Sequence, residues 1–104
     1  MELGITTTPT AENYVISVAG EVDISNVAGL RDHIDLALEQ PTAKITLDFS
    51  HVSYIDSTGI GVLVGAAHHA VEHQKGFEVV NAQPNVMRVA QLLGVDKEIG
   101  ITGA

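Results

Sequence analysis

Residues 54–61 read Tyr-Ile-Asp-Ser-Thr-Gly-Ile-Gly. One carboxylate, two hydroxyls and two glycines fall between Asp56 and Gly61, directly ahead of an apolar run. Such a stretch offers Ser57 four roles: nucleophile, phosphate-binding group, helix cap, or acceptor of a modification. A hydrolytic nucleophile sits in G-x-S-x-G with a base and an acid nearby. Here Ile55 occupies the first glycine position, although spacing does not forbid a distant His from approaching. Gly59-Ile60-Gly61-Val62-Leu63-Val64-Gly65 comes close to the dinucleotide fingerprint, but its last gap is one residue too long. No acid is clearly placed for a ribose, and the chain is too short for a full dinucleotide domain. No Gly-Lys-Ser/Thr follows, so this is not a P-loop. Capping by Ser57 or Thr58 is the plainest reading, and it is compatible with modification. A hydroxyl at a helix start lies at the surface beside the positive end of the dipole, where phosphate is tolerated. Next to Asp56, a phosphate would raise a strong local negative field.

The elements that must hold this stretch follow from periodicity. Strands are expected at Leu3–Thr7 and Tyr14–Ala19, split by a turn-like Pro9–Asn13. A helix from Asn26 to Gln40, with Ser25 as its N-cap, carries the stripe Val27, Leu30, Ile34, Ala37 and Leu38. Lys44–Phe49 is the next strand, and a helix runs from Gly59 to Gln74. Phe77–Val80, a helix over Asn85–Leu93 ended by Gly94, and a short strand at Glu98–Ile101 complete the chain. Strand–helix alternation favours parallel pairing with right-handed crossovers. Strands covered on both faces would be apolar throughout, yet Ser17, Thr46, Asp48 and Glu78 interrupt one face. The expected fold is α/β: a small mixed sheet of four to five strands, with helices packed mainly on one face.

Bulk composition narrows the function. The chain of 104 residues is one domain's worth, spanning 1–104. Thirteen acids against five Lys and Arg give a net charge of −8. That charge disfavours nucleic acid and anionic membranes as direct partners. There are no cysteines, which removes disulfides, thiolate catalysis and Cys-based zinc. The longest apolar run, Ile60–Ala67, is far short of the ~20 residues of a membrane span. MELGITTTP lacks the pattern of a signal peptide. A cytoplasmic protein is expected. His69 and His73 share a helix face as a zinc pair would, but no third ligand presents itself, so neither a metal nor a cofactor is expected. His33, His51 and His68 read as surface residues.

"DFSHVSYIDSTGIGVLVGA" resembles the STAS domain family, the anti-sigma factor antagonists and their relatives. "GEVDISNVAGLRDHI" is similar to the family's segment leading into its first helix. "QPNVMRVAQLLGVDKEIGI" is similar to its closing helix and strand, so the resemblance covers nearly the whole chain. It implies a STAS-like fold and a non-enzymatic binding module. It implies as partners an anti-sigma factor with serine-kinase activity and a phosphatase. The serine after the motif's aspartate, Ser57 here, would be phosphorylated. Thr58 holds the family's variable small position, and Asp23 matches the aspartate of the first segment, which the family's fold places near the phosphosite. Family members commonly carry one more helix after the last strand. This sequence stops at Gly103-Ala104, which leaves apolar surface that a weak homodimer would cover. The family also serves stress-signalling and lipid-transport complexes and anion transporters.

At 100° per residue, Ile60, Leu63, Val64, Ala67 and Val71 fall on one side of the long helix, expected to face the core. Val62, Ala66 and His69 fall opposite. The expected partner-binding surface is therefore Asp23, Asp56, Ser57, Thr58, Gly59, Ile60, Gly61 and Val62, with Ile60 at its edge and Ala66 pointing outward beside it.

Overall fold

The computed structural model describes residues 2–104. In chain order the elements are β1 (Gly4–Pro9), β2 (Asn13–Val22), α1 (Val27–Leu38), β3 (Lys44–Ile55), α2 (Ser57–Glu72), β4 (Gly76–Ala82), α3 (Pro84–Leu92), α4 (Asp96–Ile99) and β5 (Ile101–Gly103). Strand order across the sheet is β1-β2-β3-β4-β5, with β1 antiparallel to β2 and every other pair parallel. Each parallel step is crossed by helix, as short strand–helix alternation requires. The expected mixed α/β sheet is thus present with five strands.

Alternation along the strands divides the two faces. Tyr14 and Ile16 of β2 pair with Ile45 and Leu47 of β3, and Leu47 with Val79 of β4; Val18 and Phe49 follow where the register shifts. All are buried, in one hydrophobic cluster with Leu30 and Ile34 of α1, Leu63 of α2, Val86 of α3 and Ile99 of α4. Thr46 and Glu78, neighbours in register, occupy the opposite face. Thr46 Oγ1 lies 2.8 Å from Glu78 Oε2 and 3.0 Å from Asn13 Oδ1. Lys44 Nζ stands 3.1 Å from the same Glu78 oxygen.

These contacts, the Thr46 hydroxyl first and Lys44 second, hold the Glu78 carboxyl below its usual range. A carboxylate depressed on folding stabilises the fold above its unfolded pKa of about 4.3. That contribution is lost as pH falls through the lower folded value. Removing the hydroxyl in Thr46→Val is expected to move the Glu78 titration upward, as followed by NMR of its side chain. Acid unfolding is then expected to begin at higher pH. An unmoved titration would show that Lys44 alone sets the shift.

Several boundaries differ from the sequence expectation, among them the end of β2 at Val22 and the start of α2 at Ser57, and three of the differences have a clear physical reason. The third strand runs on to Ile55 because of two register shifts against β2. From Ser17↔Asp48 to Ala19↔His51, β3 advances three residues while β2 advances two. From Gly20↔Val52 to Glu21↔Tyr54, it advances two against one. Such bulges break simple alternation and re-aim the side chains that follow. Glu98 and Ile99, expected in the last strand, form the end of α4 instead. Gly100, at φ 74°, closes that helix in the left-handed conformation before β5 begins. Finally, Asn26 rather than Ser25 occupies the N-cap position of α1, and its side chain makes no cap hydrogen bond.

Candidate functional site

β2 and β3 end side by side, with Val22 and Ile55 paired and both buried. Their next residues, Asp23 and Asp56, therefore emerge at the same end of the sheet. Asp56 N–H donates to Val22 O at 3.2 Å, holding the two strand ends together. The Asp56 carboxylate then joins two segments. Oδ1 accepts from the Gly59 N–H at 2.8 Å, which caps α2. Oδ2 accepts from the Ile24 N–H at 3.1 Å, which ties down the β2–α1 loop 32 residues away in sequence. The cap expected from Ser57 or Thr58 thus belongs to Asp56, whose backbone is extended as an N-cap requires. Ser57 is instead the first helical residue and is exposed, as is Thr58.

The β2–α1 loop is braced internally as well. Asn26 Nδ2 donates to Glu21 O at 2.7 Å, and Asn26 Oδ1 accepts from the Asp23 N–H at 3.0 Å. Asp23 Oδ1 accepts from both the Ser25 N–H, at 2.9 Å, and the Ser25 hydroxyl. The Ser25 hydroxyl is the main reason the Asp23 carboxyl lies below its ordinary range. Asp23 O accepts from the Asn26 and Val27 N–H groups. On this pinned loop Ile24 is 74% exposed. Sequence reading missed Ile24, because a lone isoleucine between polar residues carries no periodic signal.

The helix face differs from the sequence expectation. Ile60 is 2% exposed and Gly59 is buried, so neither stands in a contact surface as expected; both pack into the core. Ala66, expected to point outward, is 5% exposed, while Val71, expected in the core, is 74% exposed. The buried face comprises Gly59, Ile60, Leu63, Ala66, Ala67 and Ala70. The small residues at four of these positions let α2 lie close to its neighbours, so packing rather than side-chain size sets the rotation of the helix. Val62 is half-buried, in the wall of a groove of about 440 Å³ between α1 and α2. Thr58, Gly61, Gly65, Ile34, Arg31 and His69 share that wall. Of the expected surface, then, Asp23, Asp56, Ser57, Thr58, Gly61 and Val62 are accessible at least in part around one end of the molecule.

Three of the five histidines are engaged elsewhere. His68 Nε2 lies 2.6 Å from Glu98 Oε2, which links α2 to α4. His33 and His73 each place Nδ1 against a carbonyl one turn back on their own helix, Gly29 O and His69 O. Among the described residues no three His, Asp or Glu side chains are grouped to hold a metal ion, and no helix is long and apolar enough to cross a membrane.

Replacing Asp56 removes both of its bonds. Asp56→Ala is expected to destabilise the fold by about 1–2 kcal/mol, the usual range for a lost N-cap. Amide hydrogen exchange should rise at both Gly59 and Ile24. Faster exchange at Gly59 alone would show that the β2–α1 loop holds itself.

Residues 5–102 match the protein family described as "Mlab, STAS domain". The chain belongs to the STAS domain family. Relatives with curated names include the anti-sigma-B factor antagonist of Staphylococcus aureus strain NCTC 8325. This STAS domain is 28% identical to it over 95 residues, which is 91% of this chain and 88% of the relative. Among solved structures, the anti-sigma factor antagonist SpoIIAA in its unphosphorylated form superposes with a TM-score of 0.79 at 27% identity, covering 97% of this STAS domain and 88% of that chain. The Bacillus cell fate determinant SpoIIAA in the phosphorylated form gives a TM-score of 0.74 at 25% identity, covering 97% and 91%.

Proposed function

We propose that this STAS domain is an anti-sigma factor antagonist switched off by phosphorylation of Ser57. It is a binding module acting in the cytoplasm. The observation that carries the reading is the position of Ser57: exposed, first in α2, with the cap supplied by Asp56. The hydroxyl can accept a phosphoryl group without giving up a structural bond. The names of the relatives support the same reading.

Unmodified, the surface formed by Asp23, Asp56, Ser57, Thr58, Gly61 and Val62 docks on an anti-sigma factor and frees the sigma factor. The same partner is the kinase: Ser57 Oγ attacks the γ-phosphorus of ATP, its proton passes to a base of the kinase, and ADP leaves. This chain supplies only the acceptor oxygen. A phosphatase restores the hydroxyl by hydrolysis.

The test is phosphosite mapping. The protein is incubated with ATP and purified serine-kinase anti-sigma factors of its source organism, then analysed by mass spectrometry. Stoichiometric label at Ser57, lost in Ser57→Ala, is the expected result. Label at another residue, or none with every kinase, would overturn the reading.

A further inference from the structure

We infer that Ile24 is an apolar anchor for the anti-sigma partner, and that the partner receives it in an apolar recess rimmed by Arg or Lys. The inference rests on the reading above and adds to it a residue outside the Asp56–Gly61 stretch.

Three observations converge on Ile24. The first is exposure: its side chain is 74% accessible although it is a large aliphatic residue. Single exposed aliphatics are ordinary on protein surfaces, so exposure by itself decides nothing.

The second is rigidity. An exposed loop tip is usually among the more mobile parts of a domain. This one is held from both sides. Asn26 spans Glu21 O and the Asp23 N–H, Asp23 holds Ser25, and the Asp56 carboxylate fixes the N–H of Ile24 itself. A side chain on a fixed backbone loses less freedom on binding, and such preorganisation strengthens association. The bond to Ile24 also comes from the residue directly before Ser57. The anchor and the acceptor hydroxyl thus share one rigid support.

The third is charge. Asp23 and Asp56 flank Ile24 through the backbone and through that hydrogen bond, and the exposed Glu21 stands near the end of β2, just ahead of the loop. No Lys or Arg occurs between Glu2 and Leu30. An aliphatic side chain displayed beside Asp23, with the Asp56 carboxylate on its backbone N–H, complements a pocket with an apolar floor and a basic rim. It would repel a second copy of this chain, whose net charge is −8.

The experiment measures the affinity of the full chain for each purified serine-kinase anti-sigma factor of the source organism by titration calorimetry. Wild type is compared with Ile24→Ser and Ile24→Val at low and high salt. Ile24→Ser is expected to weaken binding at least about tenfold, as loss of a buried aliphatic contact does. Ile24→Val, which keeps most of the contact, should weaken it only a few-fold. Affinity of the wild type should fall as salt rises, because the rim is basic. Thermal melts report whether Ile24→Ser folds as wild type does, as expected for an exposed position. Wild type that binds, with Ile24→Ser binding equally well, would overturn the anchor and leave the antagonist reading intact. Binding indifferent to salt would overturn the basic rim. A wild type that binds none of these factors would overturn the antagonist reading and the anchor together.

Discussion

Phosphorylated at Ser57, the protein is expected to bind its anti-sigma factor at least about tenfold more weakly than the unmodified chain, a loss of about 1.4 kcal/mol. Two effects oppose each other at this position. A phosphoserine brings a charge of roughly −1.5 to −2. At the first residue of α2 it meets the positive end of the helix dipole, which stabilises it by about 0.3–1 kcal/mol. Within an interface, however, an imperfectly paired polar group costs about 1–3 kcal/mol, and more when charged. Asp56 adjoins the site and Asp23 lies on the loop that Asp56 holds, so the local field is already negative. The interface penalty therefore exceeds the helix benefit, and the change acts on binding rather than on folding. Calorimetry on the stoichiometrically phosphorylated and unmodified chains checks the affinity, and circular dichroism checks that the fold is retained. Equal affinities would remove the switch.

The same substitution at two glycines about 3 Å of helix rise apart is expected to have opposite signs, the rise being about 1.5 Å per residue over Gly59 to Gly61. A Cβ built on Gly59 would lie 2.7 Å from Ile55 Cγ1 and 2.9 Å from Val22 Cγ1. Both neighbours are buried at the paired ends of β3 and β2 and have little room to move. Overpacking of this kind costs about 1–3 kcal/mol, against a gain of up to about 1 kcal/mol for replacing glycine within a helix. Gly59→Ala is therefore expected to destabilise by about 1–2 kcal/mol, and Gly59→Val by about 3 kcal/mol. Around Gly61 a Cβ meets nothing within 4 Å. Gly61→Ala is expected to stabilise by about 0.5–1 kcal/mol. Urea unfolding of the three variants measures both signs. A Gly59→Ala protein more stable than wild type would show that Ile55 and Val22 yield easily.

These two glycines illustrate what the sequence leaves open. In the linear pattern both allow backbone to pass closely at a helix start. Close approach occurs only at Gly59, because only Gly59 faces the junction of β2 and β3. Rotation of α2 is a similar case. Periodicity locates the helix, but several apolar arcs fit a sequence this rich in Val, Ala and Gly. The arc that was buried contains Ala66 and Ala70 and leaves Val71 in solvent. The cap was ambiguous for a different reason. Asp, Ser and Thr are all good N-caps, and three of them stand in a row at residues 56–58. The choice depends on where β3 ends, and the bulges carry that strand six residues past Phe49 to Ile55.

The sequence by itself determined the alternation of strand and helix, the apolar side of the central strands β2, β3 as far as Phe49, and β4, and the polar residues of the opposite face. It also determined the motif around Ser57 that marks the family. These are local properties, written in periods of two and 3.6 residues and in a short contiguous segment. The tertiary structure decided which acid caps α2, which face of that helix is buried, which glycine is indispensable, and that Ile24 is displayed on a loop fixed by Asp56. Each of these depends on groups far apart in the chain. The bond from Ile24 to Asp56 spans 32 residues, and only the pairing of β2 with β3 brings its two ends within reach of each other.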